Sequence, residues 1–582
     1  MNSILRYTNV RTKPPVAVVI LDSLRADMID QGDLIAQLPT MRRLFRESYV
    51  FTHAYAPAHW TVPSHASLFT GLRPSEHMAH PPYLRLREDV LTAAEVFRKG
   101  GYFTACITCN PFLSDRFGLT RGFEVVWMPP SHTDLIAFGL QLAIQFISTR
   151  IRQDDGLLSI ARDWLNLMAD LVMASPRRDN RAHSVPGHLR RLLQENGRPS
   201  FFLVNLMEAH HPYYARGAYS GLRNRFRYRE IFRHWIELGR AIMGGRVPLT
   251  DTMQEAIVAI YWENVRYLDS QLDLLVQNLQ NGFLDGGFLF VLSDHGHLLG
   301  EKGCIDHVGG LSEKLIRVPL LIRPPGGTPG QRIDHPTDIR WLFSLFRAIA
   351  LSEQGALDSW LSWIKQQGII VSEAHGDYVP YVDRLKGRNP LYRKDLLDFK
   401  ARHDHPAIAC IAGRWKLICH LGRREDELYD LMKDMHEDVN LAEERREVLE
   451  DLHEKLKESF FGGTRGPPRQ VRKDGLPMDA KKVIAEVVIA EALKIDRNTV
   501  LVWTGGKDST LVLFLALHVA RRENLEVPPL LSVDHGQHFP ETLSFMKDIA
   551  RRERLEVIVA RNENLLATVG NNAETVPLDT LD

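Results

Sequence analysis

Four short apolar runs, set apart by helical patterns, constrain this chain more than any other feature. They are "PPVAVVILD" (14–22), "GYFTACIT" (101–108), "SFFLVNLM" (200–207) and "GGFLFVLSDHG" (286–296). None alternates cleanly between apolar and polar residues, so each is expected to be covered on both faces, as parallel strands are. Between them lie helical patterns such as "DVLTAAEVFRKGG" and "ENVRYLDSQLDLLVQNLQNG". Strands alternating with helices predict an α/β fold whose ligands collect at the carboxyl ends of the strands. Asp22, Glu208 and Asp294 all fall at such ends.

At 582 residues the chain exceeds what one hydrophobic core usually supports, so two or more domains are expected. The break is expected at "FGGTRGPPRQVRKDGLPMDA" (461–480), rich in glycine, proline and charge and without apolar period. This gives a first domain over 14–460 with a helical insertion near 130–250, a linker over 461–480 and a second domain over 481–582. Residues 216–246 of the insertion carry eight arginines with aromatics between them. They read as a solvated helical cap, or as a cap that attracts an anionic substrate.

Basic and acidic residues balance at 72 each, which argues against general nucleic-acid binding. Five cysteines in so long a chain do not make a disulfide framework. Cys106 and Cys109 form a C-x-x-C without the helix-opening context of a redox motif, and read as a strand and its following turn. "VAVVILD" is too short and too charged at its end for a signal peptide, and "LIAFGLQLAIQFI" (135–147) is too short to span a membrane. A cytoplasmic protein without a transmembrane segment is expected, with an amphipathic surface helix at 135–147 as the alternative.

The strand ends gather a chemical set: Asp22 in "LDS", Thr61 in "HWTVPSH", and Asp294 with His295 in "LSDHGHLLGEKG". Carboxylates with one imidazole suit a divalent cation such as Zn²⁺, Mn²⁺, Mg²⁺ or Ca²⁺. A metal touching Thr61 would lower its hydroxyl pKa and polarise an ester oxygen. Taken singly the signals are weak: "SDHG" also reads as a turn. "TVPSH" also reads as a helix start capped by Thr61 or Ser64, with backbone N–H groups facing an anion.

Five blocks together are more specific. "VVILDSLRAD", "HWTVPSHASLFTGLRPSEH", "LMEAHHPYY", "LSDHGHLLGEKGCIDHVGGLSEKLIRVPLLIRPPG" and "DELYDLMKDMHEDVNLAEE" resemble, in order, the sulfatase branch of the alkaline phosphatase superfamily. The resemblance implies an alkaline-phosphatase-like mixed sheet flanked by helices. It also implies a metal held by Asp22, Asp294 and His295, with Thr61 as the nucleophile touching it. His211, or its neighbour His210, and His307 fall where the family faces the transferred group; Lys302 competes with His307, and Asn110 is a weaker candidate. His297 and Glu301 are expected at the rim. A second metal would need Glu208, His210 or His211, and His307 to converge.

The departures from the family are informative. Sulfatases carry C-x-P-S-R or S-x-P-S-R, whose first residue is oxidised to formylglycine, whereas this chain has Thr61 and His65. Threonine cannot become that aldehyde, so the usual release of sulfate is closed to it. A phospho-threonine can still be attacked at phosphorus by water or an alcohol. Ser23 stands where sulfatases place a second aspartate.

In the C-terminal region, "VLVWTGGKDSTLVLFLALHVA" reads as strand, glycine-rich loop and helix, but is not G-x-x-x-x-G-K-[ST]. With "LLSVDHGQHFPETLSFMKDIARRERLEVIVAR" it resembles the N-type ATP pyrophosphatases, in the branch of PAPS reductases and the ATP sulfurylase small subunit. This implies a smaller α/β domain of the adenine-nucleotide α-hydrolase type. Thr504, Gly505, Gly506, Lys507, Asp508, Ser509, Thr510 and Asp534 would bind ATP, with Mg²⁺. Only three strands are expected, so the domain reads as incomplete, to be completed by another chain. With no cysteine after position 419, thiol attack as in a PAPS reductase is excluded.

The combined expectation is a metal-dependent hydrolase or transferase acting through Thr61. Its substrate would be a small-molecule or lipid-type phosphate ester or diester, and it would carry a nucleotide-binding module. The alternatives are a sulfuric ester hydrolase linked to sulfur metabolism and a non-catalytic nucleotide-sensing protein.

Overall fold

The computed structural model describes residues 13–129, 181–213, 249–376 and 406–461, apart from positions 31, 82, 212, 281, 308, 309, 329 and 421–425. Beyond these it describes 501–502, 507–523, 527, 530–534, 540–553, 555 and 557–561. The chain divides into two compact units, Met1–Thr464 and Arg465–Asp582.

In the first unit, all six residues of β1 (Val16–Leu21) are buried, because the strand is paired on both edges and covered on both faces. It runs parallel to β5 (Ser200–Leu206) and to β6 (Phe288–Leu292). Beyond β5 lie β3 (Phe103–Thr108) and β4 (Val125–Trp127), also parallel. Beyond β6 the sense reverses: β9 (Arg317–Arg323) is antiparallel to β6 and to β2 (Tyr49–Tyr55). β10 (Gln331–Ile333) and β11 (Thr337–Asp338) run parallel beside β2. The result is a nine-stranded mixed sheet in the order β10-β2-β9-β6-β1-β5-β3-β4, with β11 on β2.

The period of two sends β1 into two cores. Val16, Val18 and Ile20 join Phe97, Phe201, Phe290 and Phe346 on one face. Ala17, Val19 and Leu21 join Tyr261, Leu268 and Leu272 of the Asp251–Gln280 helix on the other. That helix begins twelve residues before the stretch quoted from the sequence. Each large aliphatic residue so buried contributes about 1.5–3 kcal/mol relative to exposure. The helix before β3 (Ala93–Lys99) starts on a capping box between Thr92 and Glu95. Cys106 lies within β3 and Cys109 just after it; both are buried, and burial pushes the Cys106 thiol up to about 12.

β7 (Leu298–Leu299) and β8 (Ile305–Asp306) form a short antiparallel pair next to the strand ends. A four-stranded antiparallel sheet follows, β12 (Ile370–Ala374), β13 (Ala407–Ala412), β14 (Trp415–His420) and β15 (Glu427–Asp430). The Arg446–Phe461 helix packs on it through Leu452 and Leu456. Lys416 on β14 is fully buried, its Nζ 3.0 Å from Glu313 and 2.6 Å from Glu437.

The second unit contains a parallel sheet of β16 (Leu501–Val502), β17 (Leu530–Asp534) and β18 (Val557–Arg561). The helices Lys507–Glu523 and Pro540–Glu553 accompany it, around Leu513, Leu517, Leu530, Met546 and Ile549.

Most of the insertion expected near 130–250 lies outside the described residues, including the arginine-rich segment and 135–147; Val185–Glu195 is a helix. The linker candidate also lies outside them, except for Phe461, which ends a helix. Among the described residues no helix is long and apolar enough to cross a membrane.

Candidate active site

The carboxyl ends of β1, β3, β5 and β6 bring together Asp22, Asn110, Asn205 and the Asp294–His295 pair. All five are fully buried. Asp22 Oδ2 accepts from Asn110 Nδ2 at 2.7 Å and from Asn205 Nδ2 at 3.2 Å, which fixes its plane. Ser23, at φ +62°, donates its N–H to Asp294 Oδ1 at 3.3 Å and its hydroxyl to Asp22 Oδ1 at 3.3 Å. The serine thus links the two acids and is not itself an acidic ligand.

His295 Nδ1 donates to the Gly296 carbonyl at 2.8 Å, so its Nε2 keeps a lone pair. That nitrogen lies 3.4 Å from Asp294 Oδ2, 3.8 Å from Asp22 Oδ1 and 3.4 Å from Thr61 Oγ1. Ligands about 2.1 Å from a shared tetrahedral ion stand about 3.4 Å apart. Asp294 Oδ2 is buried and receives no hydrogen bond among the described residues. Burial opposes ionisation of Asp294, but His295 and His65 hold it well below the usual carboxylate range. The residues fit a divalent cation: one donor atom from each of Asp22, Asp294 and His295 lies within 4.8 Å of the others.

Gly296 separates His295 from His297 where there is no room for a side chain, since a Cβ there would overlap the Lys314 carbonyl. Its N–H donates to Leu315 O at 2.6 Å and that of His297 to Lys314 O at 3.1 Å.

Thr61 is the first residue of the Thr61–Thr70 helix, which ends at Gly71 in the left-handed region (φ +72°). The expectation that Thr61 or Ser64 caps this helix does not hold. Trp60 stands at the cap position without a capping bond to the helix, and Ser64 Oγ donates instead to Asp294 O at 2.6 Å. Thr61 Oγ1 is left to face the acids, accepting from Asn110 Nδ2 at 3.4 Å. His65, one turn on, donates Nδ1–H to Thr61 O at 3.0 Å and stands 3.3 Å from Asp294 Oδ2. Burial lowers its basicity, but Asp294 more than restores it and the His65 pKa is raised.

Across the site stand four further histidines around Asp306. The His307 ring lies 4.9 Å from His295 and 5.5 Å from His210, between centroids. His210 stacks on His211 at 4.4 Å. His211 Nδ1 and His307 Nε2 are each 3.3 Å from Asp306 Oδ1. Burial pushes His210 down to about 4, while for His211 the Asp306 carboxylate outweighs burial and raises the pKa.

Three sequence expectations change here. His297 is not at a rim: it is fully buried. Glu208 does not join the histidines; its Oε1 accepts from Ala182 N at 3.1 Å. Lys302 is exposed and lies over the Tyr429 ring, at 5.5 Å, while His307 is the one among the histidines. Glu301 pairs with Arg25 at 2.6 Å. Asn205 and Asp306 were not singled out from sequence, although an asparagine inside "FFLVNLM" is a signal, being the one polar side chain of an otherwise apolar run.

Of the nucleotide-binding candidates, Thr504, Gly505 and Gly506 lie outside the described residues. Lys507, Asp508, Ser509 and Thr510 open the Lys507–Glu523 helix, and Asp534 ends β17.

Three sequence models match the chain. That of the sulfatases matches residues 159–348, and that of type I phosphodiesterase / nucleotide pyrophosphatase matches 16–78. That of the phosphoadenosine phosphosulfate reductase domain matches 498–576. The choline-sulfatase of Rhizobium meliloti (strain 1021) is 24% identical over 459 residues, 75% of this chain and 83% of its own. The arylsulfatase of Clostridium perfringens (strain 13 / Type A) is 20% identical over 489 residues, 78% of this chain and 96% of its own. Among solved structures, the phosphonate monoester hydrolase of Agrobacterium radiobacter superposes with a TM-score of 0.53 at 20% identity, covering 76% of this chain and 94% of that one. The phosphonate monoester hydrolase SpPMH of Silicibacter pomeroyi gives 0.52 at 19%, covering 77% and 94%. With the mixed sheet and its strand-end acids, these matches show a domain that matches the sulfatase model and shares the fold of the phosphonate monoester hydrolases, followed by a region that matches the phosphoadenosine phosphosulfate reductase domain.

Proposed function

We propose that this chain hydrolyses or transfers a phosphate ester or diester through a covalent Thr61 intermediate. The observation that carries the reading is Thr61 itself. Its hydroxyl faces Asp22, Asp294 and His295, and its side chain cannot supply the aldehyde by which sulfatases release sulfate. Sulfate and phosphonate esters both occur in the names of similar proteins, so the nucleophile, and not the fold, decides between them.

A cation held by Asp22, Asp294 and His295 would supply Lewis acidity, lowering the Thr61 hydroxyl pKa and neutralising charge on the ester. The chain's own groups do the rest. Asn110 holds Asp22 and donates toward Thr61 Oγ1, which orients the hydroxyl for attack. Backbone N–H groups at the start of the Thr61–Thr70 helix favour an anion beside it. His210 and His307 face His295 from the far side; both are placed to hydrogen-bond the non-bridging oxygens, and His307, beside Asp306, to give a proton to the leaving oxygen. In the first step Thr61 loses its hydroxyl proton to solvent, the Thr61 Oγ–P bond forms and the ester P–O bond breaks, its oxygen taking up a proton. In the second, water or an alcohol loses a proton and bonds to phosphorus, and Thr61 Oγ leaves and is reprotonated. The C-terminal unit would bind ATP and Mg²⁺ at Lys507–Thr510, where the Lys507–Glu523 helix opens, and at Asp534, and would localise or regulate this activity.

The test is turnover of p-nitrophenyl phosphate, bis-p-nitrophenyl phosphate and p-nitrophenyl sulfate by metal-loaded protein and by Thr61→Ala. Thr61-dependent phosphate ester turnover, with phosphate on Thr61 in acid-quenched mass spectra, is expected. Thr61-dependent sulfate release would replace phosphorus by sulfur as the target. Equal background from both proteins on all three substrates would show a non-catalytic domain.

A further inference from the structure

We propose that Cys419, His453 and Asp426 form a site for a thiophilic divalent cation, such as Zn²⁺, on the smaller sheet. None of the three belongs to the strand ends around Thr61. Cys419 lies on β14, Asp426 stands directly before β15, and His453 comes from the Arg446–Phe461 helix that packs on that sheet. One donor atom from each lies within 4.8 Å of the others.

His453 Nε2 donates to Asp426 Oδ2 at 2.8 Å. The carboxylate is itself held from the backbone, its Oδ1 accepting from His420 N at 3.4 Å. A proton fixed on Nε2 leaves a lone pair on Nδ1, and that atom faces Cys419 Sγ at 3.8 Å. Ligands about 2.3 Å (sulfur) and about 2.1 Å (nitrogen) from a tetrahedral ion stand about 3.6 Å apart. A carboxylate on the far nitrogen of a ligating imidazole fixes its tautomer and raises its basicity, which is the part Asp426 is placed to play. His453 and Asp426 keep 34% and 25% side-chain exposure, so an ion has a route in and its remaining positions fall to water.

The donors differ in kind from those at Asp22, Asp294 and His295. Thiolate with imidazole selects zinc and softer ions over Mg²⁺ and Ca²⁺. Without an ion, burial pushes the Cys419 thiol up to about 12, so the sulfur keeps its proton and donates it to His453 Nδ1. When the ion binds, that S–H bond breaks and the proton passes to solvent. Bonds from Sγ and Nδ1 to the metal then replace the hydrogen bond, with no change of oxidation state. The ion would fasten the Arg446–Phe461 helix to β14.

The experiment titrates the full chain with Co²⁺ under reducing conditions and follows the thiolate-to-cobalt charge-transfer absorption. It compares wild type with Cys419→Ser, His453→Gln and Asp426→Asn. Wild type is expected to show the band and to lose it when Zn²⁺ displaces cobalt. Cys419→Ser should lack that part of the band. The midpoint should rise at least about tenfold in His453→Gln and about 10–100-fold in Asp426→Asn. His453 is partly exposed, so His453→Gln decides the matter if Cys419→Ser fails to fold. No thiolate band at saturating cobalt, an equal band in folded Cys419→Ser, or an unchanged midpoint in His453→Gln overturns the proposal. The Asp22, Asp294 and His295 set contains no sulfur, so an ion there gives no such band and the outcome is independent of the ester chemistry.

Discussion

At the scale of single residues the site depends on groups that orient other groups. Asn110 touches both Asp22 and Thr61, so Asn110→Ala is expected to weaken metal affinity by about 10–100-fold. Dialysis against graded chelator measures this directly. Thr61→Ser keeps a hydroxyl at the same place and is expected to retain most turnover, while Thr61→Ala loses at least about 10³-fold. A Thr61→Ser variant as inert as Thr61→Ala would point to a role for the methyl group in placing the hydroxyl. Asp22, Thr61, Asp294 and His295 were legible because each stands at the end of a readable strand or in a motif. Asn205 and Asp306 were harder to place: one sits inside an apolar strand and the other ends the two-residue strand β8, and only pairing in three dimensions brings them to the site.

At the scale of elements, buried charge ties the smaller sheet to the short helices Pro74–His77 and Glu313–Ile316. Glu373 on β12 is fully buried and accepts from Ser75 N at 2.7 Å, Ser75 Oγ at 2.9 Å and His375 Nε2 at 2.7 Å. Burial opposes its ionisation, yet His375, Arg73 and Ser75 hold its carboxyl down at about 2, from an ordinary 4.5. A folded value below the unfolded one contributes stability that is full above the unfolded value and is lost as pH falls toward the folded one. The contribution is about 3 kcal/mol, at 1.36 kcal/mol per pH unit. Denaturant melts at pH 6 and pH 3 should therefore show Glu373→Gln well below wild type at the higher pH, with the gap cut to roughly half at the lower and vanishing only below the folded value. The Lys416–Glu313–Glu437 group gives a second test. Lys416→Met strands two buried acids and is expected to cost about 3–5 kcal/mol, whereas replacing all three by apolar residues should be near neutral. The order of strands and helices could be read from apolar runs; these couplings could not, because a lone lysine in "WKLICH" looks like an exposed strand residue.

At the scale of the whole molecule, two compact units predict two transitions in calorimetry. An ion bound in the first unit stabilises that unit alone, by about 2.7 kcal/mol at a hundredfold excess over Kd. Chelator should then lower one transition and leave the other in place. Lys507→Ala or Asp508→Ala should weaken ATP binding without changing Thr61-dependent turnover, measured on the same preparations. If turnover also changed, the second unit would regulate the first.

The crowding around Gly296 limits how this chain can diversify. Any side chain there must push the segment away from the Lys314 carbonyl and would shift His295 and His297 in a single mutational step. Selection for a new substrate therefore finds a closed path through position 296. A saturation library at position 296 should recover only glycine among functional variants.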